Sequence, residues 1–137
     1  MPPGRGRPAL ARGIQSFEDP ATAIPNEAVV DTSFLIEALL PKQPLHAACQ
    51  SFLLRMTSHE TVIYFSRLLE LELAEAAFKI ALVEKYGDKA WQRKRSDGRV
   101  RRRAGRLSSN LIRSWGEILD TVPHMCIELD RPYVIFY

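Results

Sequence analysis

The segment 28–36, AVVDTSFLI, constrains the fold of this chain more than any other segment. A short apolar run ends in one aspartate, two hydroxyl residues follow, and a second apolar run begins at once. This pattern predicts a buried strand that carries Asp31 at its carboxyl end and is directly followed by a helix. Ligands of open α/β folds bind at this end of the strands. Asp31 is therefore a candidate site residue, and the alternative is that it only caps the helix.

Apolar patterns of two kinds alternate along the rest of the chain. β-Branched and aromatic runs predict strands at 61–65 and 124–129, and helical periodicity predicts helices at 44–55, 66–86 and 107–119. Strands that alternate with helices are typical of a parallel sheet flanked by helices. We therefore expect one three-layer α/β domain over 27–137. The preceding residues 1–26 are rich in Pro, Gly and Arg and are predicted to be a disordered leader.

Composition excludes several classes of protein. The 137 residues are 46% hydrophobic and 26% charged, as in an ordinary globular domain. No apolar run approaches the roughly 20 residues of a membrane helix, and the leader has no signal-peptide core. Two cysteines, Cys49 and Cys126, do not make a disulfide framework or a zinc site. We expect a cytoplasmic protein that does not enter a membrane.

Positive charge is concentrated in one segment, 91–106, although the net charge of the chain is only +3. Eight basic side chains stand there against Asp97 alone. This segregation favours contact with a polyanion such as RNA, and the alternative is a solvated helical extension. The candidate RNA-binding residues are Arg93, Lys94, Arg95, Arg99, Arg101, Arg102, Arg103 and Arg106.

The long helix predicted at 66–86 offers carboxylate partners for Asp31. Helical spacing places Glu72, Glu75 and Lys79 in one polar stripe between two apolar stripes. Glu75 and Lys79 have the spacing of a surface ion pair, which leaves Glu72 as the partner of Asp31. Two carboxylates from neighbouring elements suit Mg²⁺ or Mn²⁺.

These segments together resemble a PIN domain, and more narrowly the VapC-type toxins of bacterial toxin–antitoxin pairs. The family opens with a strand that ends in Asp-Thr/Ser-Ser/Asn, as at 31–33. Its next strand ends in a serine, and a glutamate follows about six positions later. The same spacing leads from Ser66 to Glu72. The resemblance covers approximately residues 28–129.

The resemblance implies a metal-dependent endoribonuclease that hydrolyses RNA phosphodiesters with Mg²⁺ or Mn²⁺. Asp31 and Glu72 match the first two acidic ligands, and Ser33, or alternatively Thr32, matches the supporting hydroxyl. A cognate antitoxin and a second copy of the chain are the implied protein partners. For the basic segment, contact with an acidic part of the antitoxin is a third alternative beside RNA binding and a solvated extension.

The chain departs from the family pattern at its C-terminal end. The family's third and fourth acidic residues follow the third strand, where only Asp130 and seven further residues remain. Neither Asp120 nor Asp130 occupies a matching position. The pattern is that of a PIN domain without its last strand and helix, and impaired activity is therefore expected. The rival interpretation is a catalytically inactive module that binds RNA or an antitoxin.

Overall fold

A computed structural model of the chain describes Ser16 and residues 18–128. The predicted leader therefore lies largely outside the described residues, as does Asp130. Within them the order of elements is β1 (Glu27–Val29), α1 (Thr32–Leu39), α2 (His46–Ser58), β2 (Val62–Ser66), α3 (Leu69–Tyr86), α4 (Trp91–Lys94), α5 (Gly98–Leu119) and β3 (His124–Ile127). No helix in this part of the chain has both the length and the apolar character needed to cross a membrane.

The three strands form one parallel sheet in the order β1-β2-β3. Val29 of β1 stands opposite Tyr64 of β2, and Tyr64 stands opposite Met125 of β3. The predicted parallel α/β arrangement is confirmed. All three strands end at the same edge of the sheet, which is where Asp31 and the start of α3 lie.

The described helices pack on one face of the sheet. A single core joins Ile63 and Phe65 of β2 to buried residues of α1, α2, α3 and α5, including Leu35, Leu53, Leu73 and Trp115. The reason is topological: the strands follow one another in sequence order, and right-handed crossovers then place every connecting helix on the same side. The predicted third layer is thus not formed by residues 18–128.

Helix ends follow local chemistry. Asp31 caps α1, since its Oδ1 accepts a 2.9 Å hydrogen bond from the Phe34 backbone N–H. α3 ends at Gly87, whose φ of +82° is a conformation that suits glycine. Asp97 caps α5 through the N–H groups of Arg99 and Val100.

α5 is longer than its apolar pattern predicted. The sequence placed the helix start at 107, whereas α5 begins at Gly98 and includes most of the basic segment. Arginine is a good helix former, so the basic residues before position 107 are part of the helix, which extends back to its N-cap. α5 is fastened to α3 by Ser108, whose hydroxyl donates a 2.8 Å hydrogen bond to the Ala74 carbonyl.

Candidate metal site and basic surface

Asp31 lies at the carboxyl end of β1, exposed to solvent. The strand pairing continues to its neighbour, because the Val30 N–H donates to the Tyr64 carbonyl at 3.0 Å. Its carboxylate therefore projects from the end of a fixed backbone. Capping α1 uses Oδ1, and a carboxylate has further lone pairs on both oxygens. The two interpretations of Asp31, helix cap and metal ligand, are compatible with each other.

Glu72 lies in the first turn of α3 and is also exposed. Its Oε2 accepts a 2.8 Å hydrogen bond from the Thr32 hydroxyl, which joins the first turn of α1 to the first turn of α3. Thr32 is the residue next to Asp31. The structure thus places Glu72 against the residue that follows Asp31, and the bond with Glu72 belongs to Thr32, not to Ser33.

The negative charges of Asp31 and Glu72 are not paired with a basic side chain of the described residues. Among the ion pairs of residues 18–128, none includes Asp31 or Glu72. An exposed pair of carboxylates with a nearby hydroxyl fits Mg²⁺, which uses one or two carboxylates and keeps several waters. The described residues contain no group of three or more His, Cys, Asp and Glu side chains placed to hold a metal, so Asp31 and Glu72 remain two candidate ligands.

Two further residues at the same edge were not anticipated from the sequence. Arg67, just after β2, forms an ion pair with Glu128, just after β3. The sequence could have indicated Glu128, because it directly follows a strand of the parallel sheet, as Asp31 does.

Two other residues considered in the sequence have local roles. The Ser66 hydroxyl accepts a 3.2 Å hydrogen bond from the Leu68 N–H before α3 begins. Asp120 is the C-cap of α5 and precedes β3, so it does not lie at the carboxyl end of a strand.

Glu75 has a partner other than the predicted one. Its carboxylate pairs with Arg95 at 3.1 Å, which links α3 to the residue that follows α4. Lys79 lies over the ring of Trp91, 5.3 Å from its centroid. The expected Glu75–Lys79 ion pair is therefore not formed. The reason is that α4 folds back on α3 and offers both residues a tertiary partner.

A groove of about 700 Å³ runs from the candidate site between α1 and α3. Thr32 and Ser33 line its start, and Ile36, Ile80 and Val83 contribute apolar surface. Its charged residues are Glu37, Lys42, Lys79, Glu84 and Asp88. The polar stripe predicted on α3 thus faces a groove at Lys79.

A second groove, of about 490 Å³, is strongly basic. Its charged lining consists of Lys85, Lys94, Arg99, Arg102, Arg103 and Arg106, with Asp97 as the single acid. The Asp97 carboxylate is engaged by backbone N–H groups, and these hydrogen bonds lower its pKa. Five of the eight predicted RNA-binding residues line this basic groove. Arg95 pairs with Glu75 instead, and Arg93 and Arg101 are exposed and do not line the groove.

Glu72 and the Tyr86 end of the basic groove lie at opposite ends of α3. Glu72 lies in its first turn, and Tyr86 at its last residue lines the basic groove. Fourteen residues of helix at 1.5 Å each separate Glu72 from Tyr86 by about 21 Å. A ligand must therefore be extended to touch both Glu72 and the Tyr86 end of the groove.

Comparisons of the chain with protein-family models, with curated proteins and with solved structures found no match.

Proposed function

We propose that this chain is a PIN-like domain of the VapC toxin type that hydrolyses RNA phosphodiesters with Mg²⁺ or Mn²⁺. Asp31 and Glu72 hold the metal, and Thr32 orients Glu72. RNA is the substrate, a cognate antitoxin and a second copy of the chain are protein partners, and the cytoplasm is the compartment. The observation that carries the proposal is the 2.8 Å bond between Thr32 and Glu72, which joins the two motif segments of the resemblance.

In the proposed site, two residues bind the metal and a third orients one of them. Asp31 and Glu72 supply hard oxygen ligands, and the Thr32 hydroxyl holds one oxygen of Glu72 so that the other is free for the metal. When bound, the ion activates a water molecule and stabilises negative charge on the phosphate. Asp31 and Glu72 would hold the ion with two carboxylates, and substrate phosphate oxygens would be needed to complete its coordination. We therefore expect weak metal affinity in the absence of RNA and millimolar metal to be needed for cleavage.

The basic groove binds the RNA backbone away from the scissile bond. None of Asp31, Thr32 and Glu72 lines this groove, whose α3 residues are Lys85 and Tyr86. Phosphate contacts of this kind supply affinity that does not depend on sequence. Because the basic groove and the candidate metal site use different residues, a substitution can abolish RNA binding by the groove or cleavage at the metal site without abolishing the other.

The proposal is tested by Mg²⁺-dependent cleavage of structured RNAs with Asp31→Asn. Asparagine caps helices about as well as aspartate, so this variant keeps the cap of α1 and loses the negative ligand. Cleavage is expected to be lost while the thermal unfolding midpoint stays near that of the parent chain. Equal cleavage by parent and variant would show that Asp31 serves only as a cap.

A matched pair on α3 gives the control. Glu70 and Glu72 are both exposed in the first turn, and only Glu72 is joined to Thr32. Glu72→Gln is expected to abolish cleavage and Glu70→Gln to preserve it. If both substitutions have the same effect, the general charge of this turn matters and the specific site at Glu72 is wrong.

The basic groove also supports a second candidate function, an inactive module that binds RNA. Such a module needs the groove alone and no metal. RNA binding that persists in EDTA, together with no cleavage at any Mg²⁺ or Mn²⁺ concentration, would favour it over the ribonuclease.

A further inference from the structure

One face of the sheet carries no described helix and is largely apolar. Side chains alternate along a strand, so the residues between the buried Ile63 and Phe65 point the other way. Val29 and Met125 flank Tyr64 in one row across the three strands, and they are 61% and 57% exposed. We call the apolar part of this surface the open face; it consists of Val29, Val62, Tyr64, Met125 and Ile127. Glu27 and Ser66 lie on the same side of the sheet, at the ends of their strands.

The open face is separate from the core. None of its five residues belongs to the buried cluster, which lies on the opposite side with Val30, Ile63 and Phe65. The Tyr64 hydroxyl is satisfied by a 2.8 Å hydrogen bond to Glu27, so the polar edge of this face needs no further partner. Parallel sheets are almost always covered on both faces, because their strands are apolar on both. A covering element is therefore expected.

The size of the open face limits what can cover it. Three strands about 4.8 Å apart, each with about four residues of 3.3 Å, give a footprint of roughly 200 Å². A stable complex between separate proteins buries about 800 Å² on each partner. This area is too small to hold a second copy or an independent protein. It suits a short segment that is tethered to the domain and so acts at a high effective concentration.

Such a segment exists in the sequence directly after β3. Residues 133–137 read YVIFY, an unbroken aromatic and β-branched run. The described chain stops at Glu128, one residue after β3, where the ion pair with Arg67 fixes its exit at the sheet edge. Four residues, 129–132, connect this exit to Tyr133. Five extended residues span about 17 Å, which matches the width of three strands.

We propose that residues 133–137 cross the open face and bury Val29, Tyr64 and Met125. The segment supplies the apolar surface that the parallel sheet lacks on this side, and the chain covers its own sheet without a partner protein. This inference is independent of the proposed ribonuclease activity.

Methyl NMR of the full chain tests the proposal, with ¹³C-methyl methionine as the probe. The chain has three methionines, of which Met125 lies on the open face and Met56 is 2% exposed in the core. In the parent chain we expect Met125 to show cross-peaks to aromatic rings and protection from a soluble paramagnetic agent. The double substitution Val134→Asp and Ile135→Asp charges both sides of the extended segment. It is expected to remove the cross-peaks and the protection while the Met56 signal stays unchanged.

A matched control separates the open face from exposed apolar surface in general. Val29 and Leu54 are almost equally exposed, at 61% and 59%, and Leu54 lies on α2. Val29→Asp is expected to release Met125, and Leu54→Asp is expected to leave it protected. Equal paramagnetic relaxation of Met125 in the parent and in the double variant would overturn the proposal. Protection that disappears on dilution would also overturn it, because a second copy would then be the cover.

Discussion

Thr32 and Glu72, forty positions apart in sequence, are joined by a 2.8 Å hydrogen bond at the carboxyl edge of the sheet. The bond makes the first turns of α1 and α3 into one unit, with Asp31 beside it. In the proposed metal site, this bond would hold one oxygen of Glu72 in place, whereas a free glutamate side chain must be ordered on binding. Hydrogen bonds that orient a ligand in this way are typical of metal sites in general.

Thr32→Val keeps the shape of the side chain and removes its hydroxyl. We expect Mg²⁺-dependent RNA cleavage to fall by about tenfold, with the loss mainly in apparent metal affinity, because Glu72 is no longer oriented. Ser33→Ala is expected to have a smaller effect, since the bond with Glu72 belongs to Thr32. Cleavage rates measured across a Mg²⁺ titration check this. A larger loss in Ser33→Ala would restore Ser33 as the supporting hydroxyl.

Substitutions in the basic groove are expected to change the salt dependence of RNA binding. Arg102 and Arg103 line the groove, so Arg102→Gln and Arg103→Gln each remove one candidate phosphate-binding cation. With single-stranded RNA, the slope of log affinity against log salt should become shallower by about 0.7 for each phosphate that is no longer neutralised. Binding isotherms at several salt concentrations measure it.

Arg113→Gln is the control for these two variants. Arg113 lies on the same helix α5, outside the groove, and donates to the Asn110 side chain. Its substitution removes the same charge and should leave the slope unchanged. If all three variants shift the slope equally, net charge and not the groove governs binding.

The sequence predicted that the end of β1 and the start of α3 lie at one edge, because strand ends and helix starts share one edge in any parallel sheet, and Thr32 contacts Glu72 there. It could not predict which hydroxyl contacts Glu72, because that depends on the rotation of α1 against α3. For Glu75, spacing within one helix predicted Lys79 as its partner. The observed partner Arg95 comes from α4 packing on α3, and that contact has no signal in helical periodicity.

The run 61–65 shows a second limit of the sequence pattern. Its continuous apolar character, TVIYF, is typical of a strand buried on both faces. In the structure only alternate residues, Ile63 and Phe65, enter the core. Whether the remaining face is covered depends on strand order, and the order β1-β2-β3 places the connecting helices on one side. Local pattern does not encode strand order.

Asp97 is expected to make part of the stability dependent on pH. Hydrogen bonds from the Val100 and Arg99 N–H groups lower its pKa from the usual 3.8. A group whose pKa is lowered by folding stabilises the native state above its unfolded pKa. That contribution is lost as the pH falls through the folded pKa.

Urea unfolding of the parent chain and of Asp97→Asn tests this expectation. Asparagine keeps the cap and does not titrate, so the stability advantage of the parent should shrink between about pH 6 and pH 2.5. An advantage that grows on acidification would mean that the carboxylate is destabilised, not stabilised, by its position at the start of α5.

Trp115 is fully buried, and it packs edge to face on Phe65 with ring centroids 5.8 Å apart. Its Nε1 has no hydrogen-bond partner within the described residues. Trp115→Phe removes this buried donor, whose burial costs about 1–3 kcal/mol, and gives up part of the ring packing. These effects oppose each other, so we expect the free energy of unfolding to change by about 1 kcal/mol or less.

Trp115→Ala provides the comparison. It leaves a cavity beneath Phe65 and should cost about 3–5 kcal/mol in the free energy of unfolding. Urea unfolding followed by circular dichroism measures both variants. If Trp115→Phe costs as much as Trp115→Ala, the indole N–H has a partner such as a buried water, and ring packing alone does not determine the stability of this part of the core.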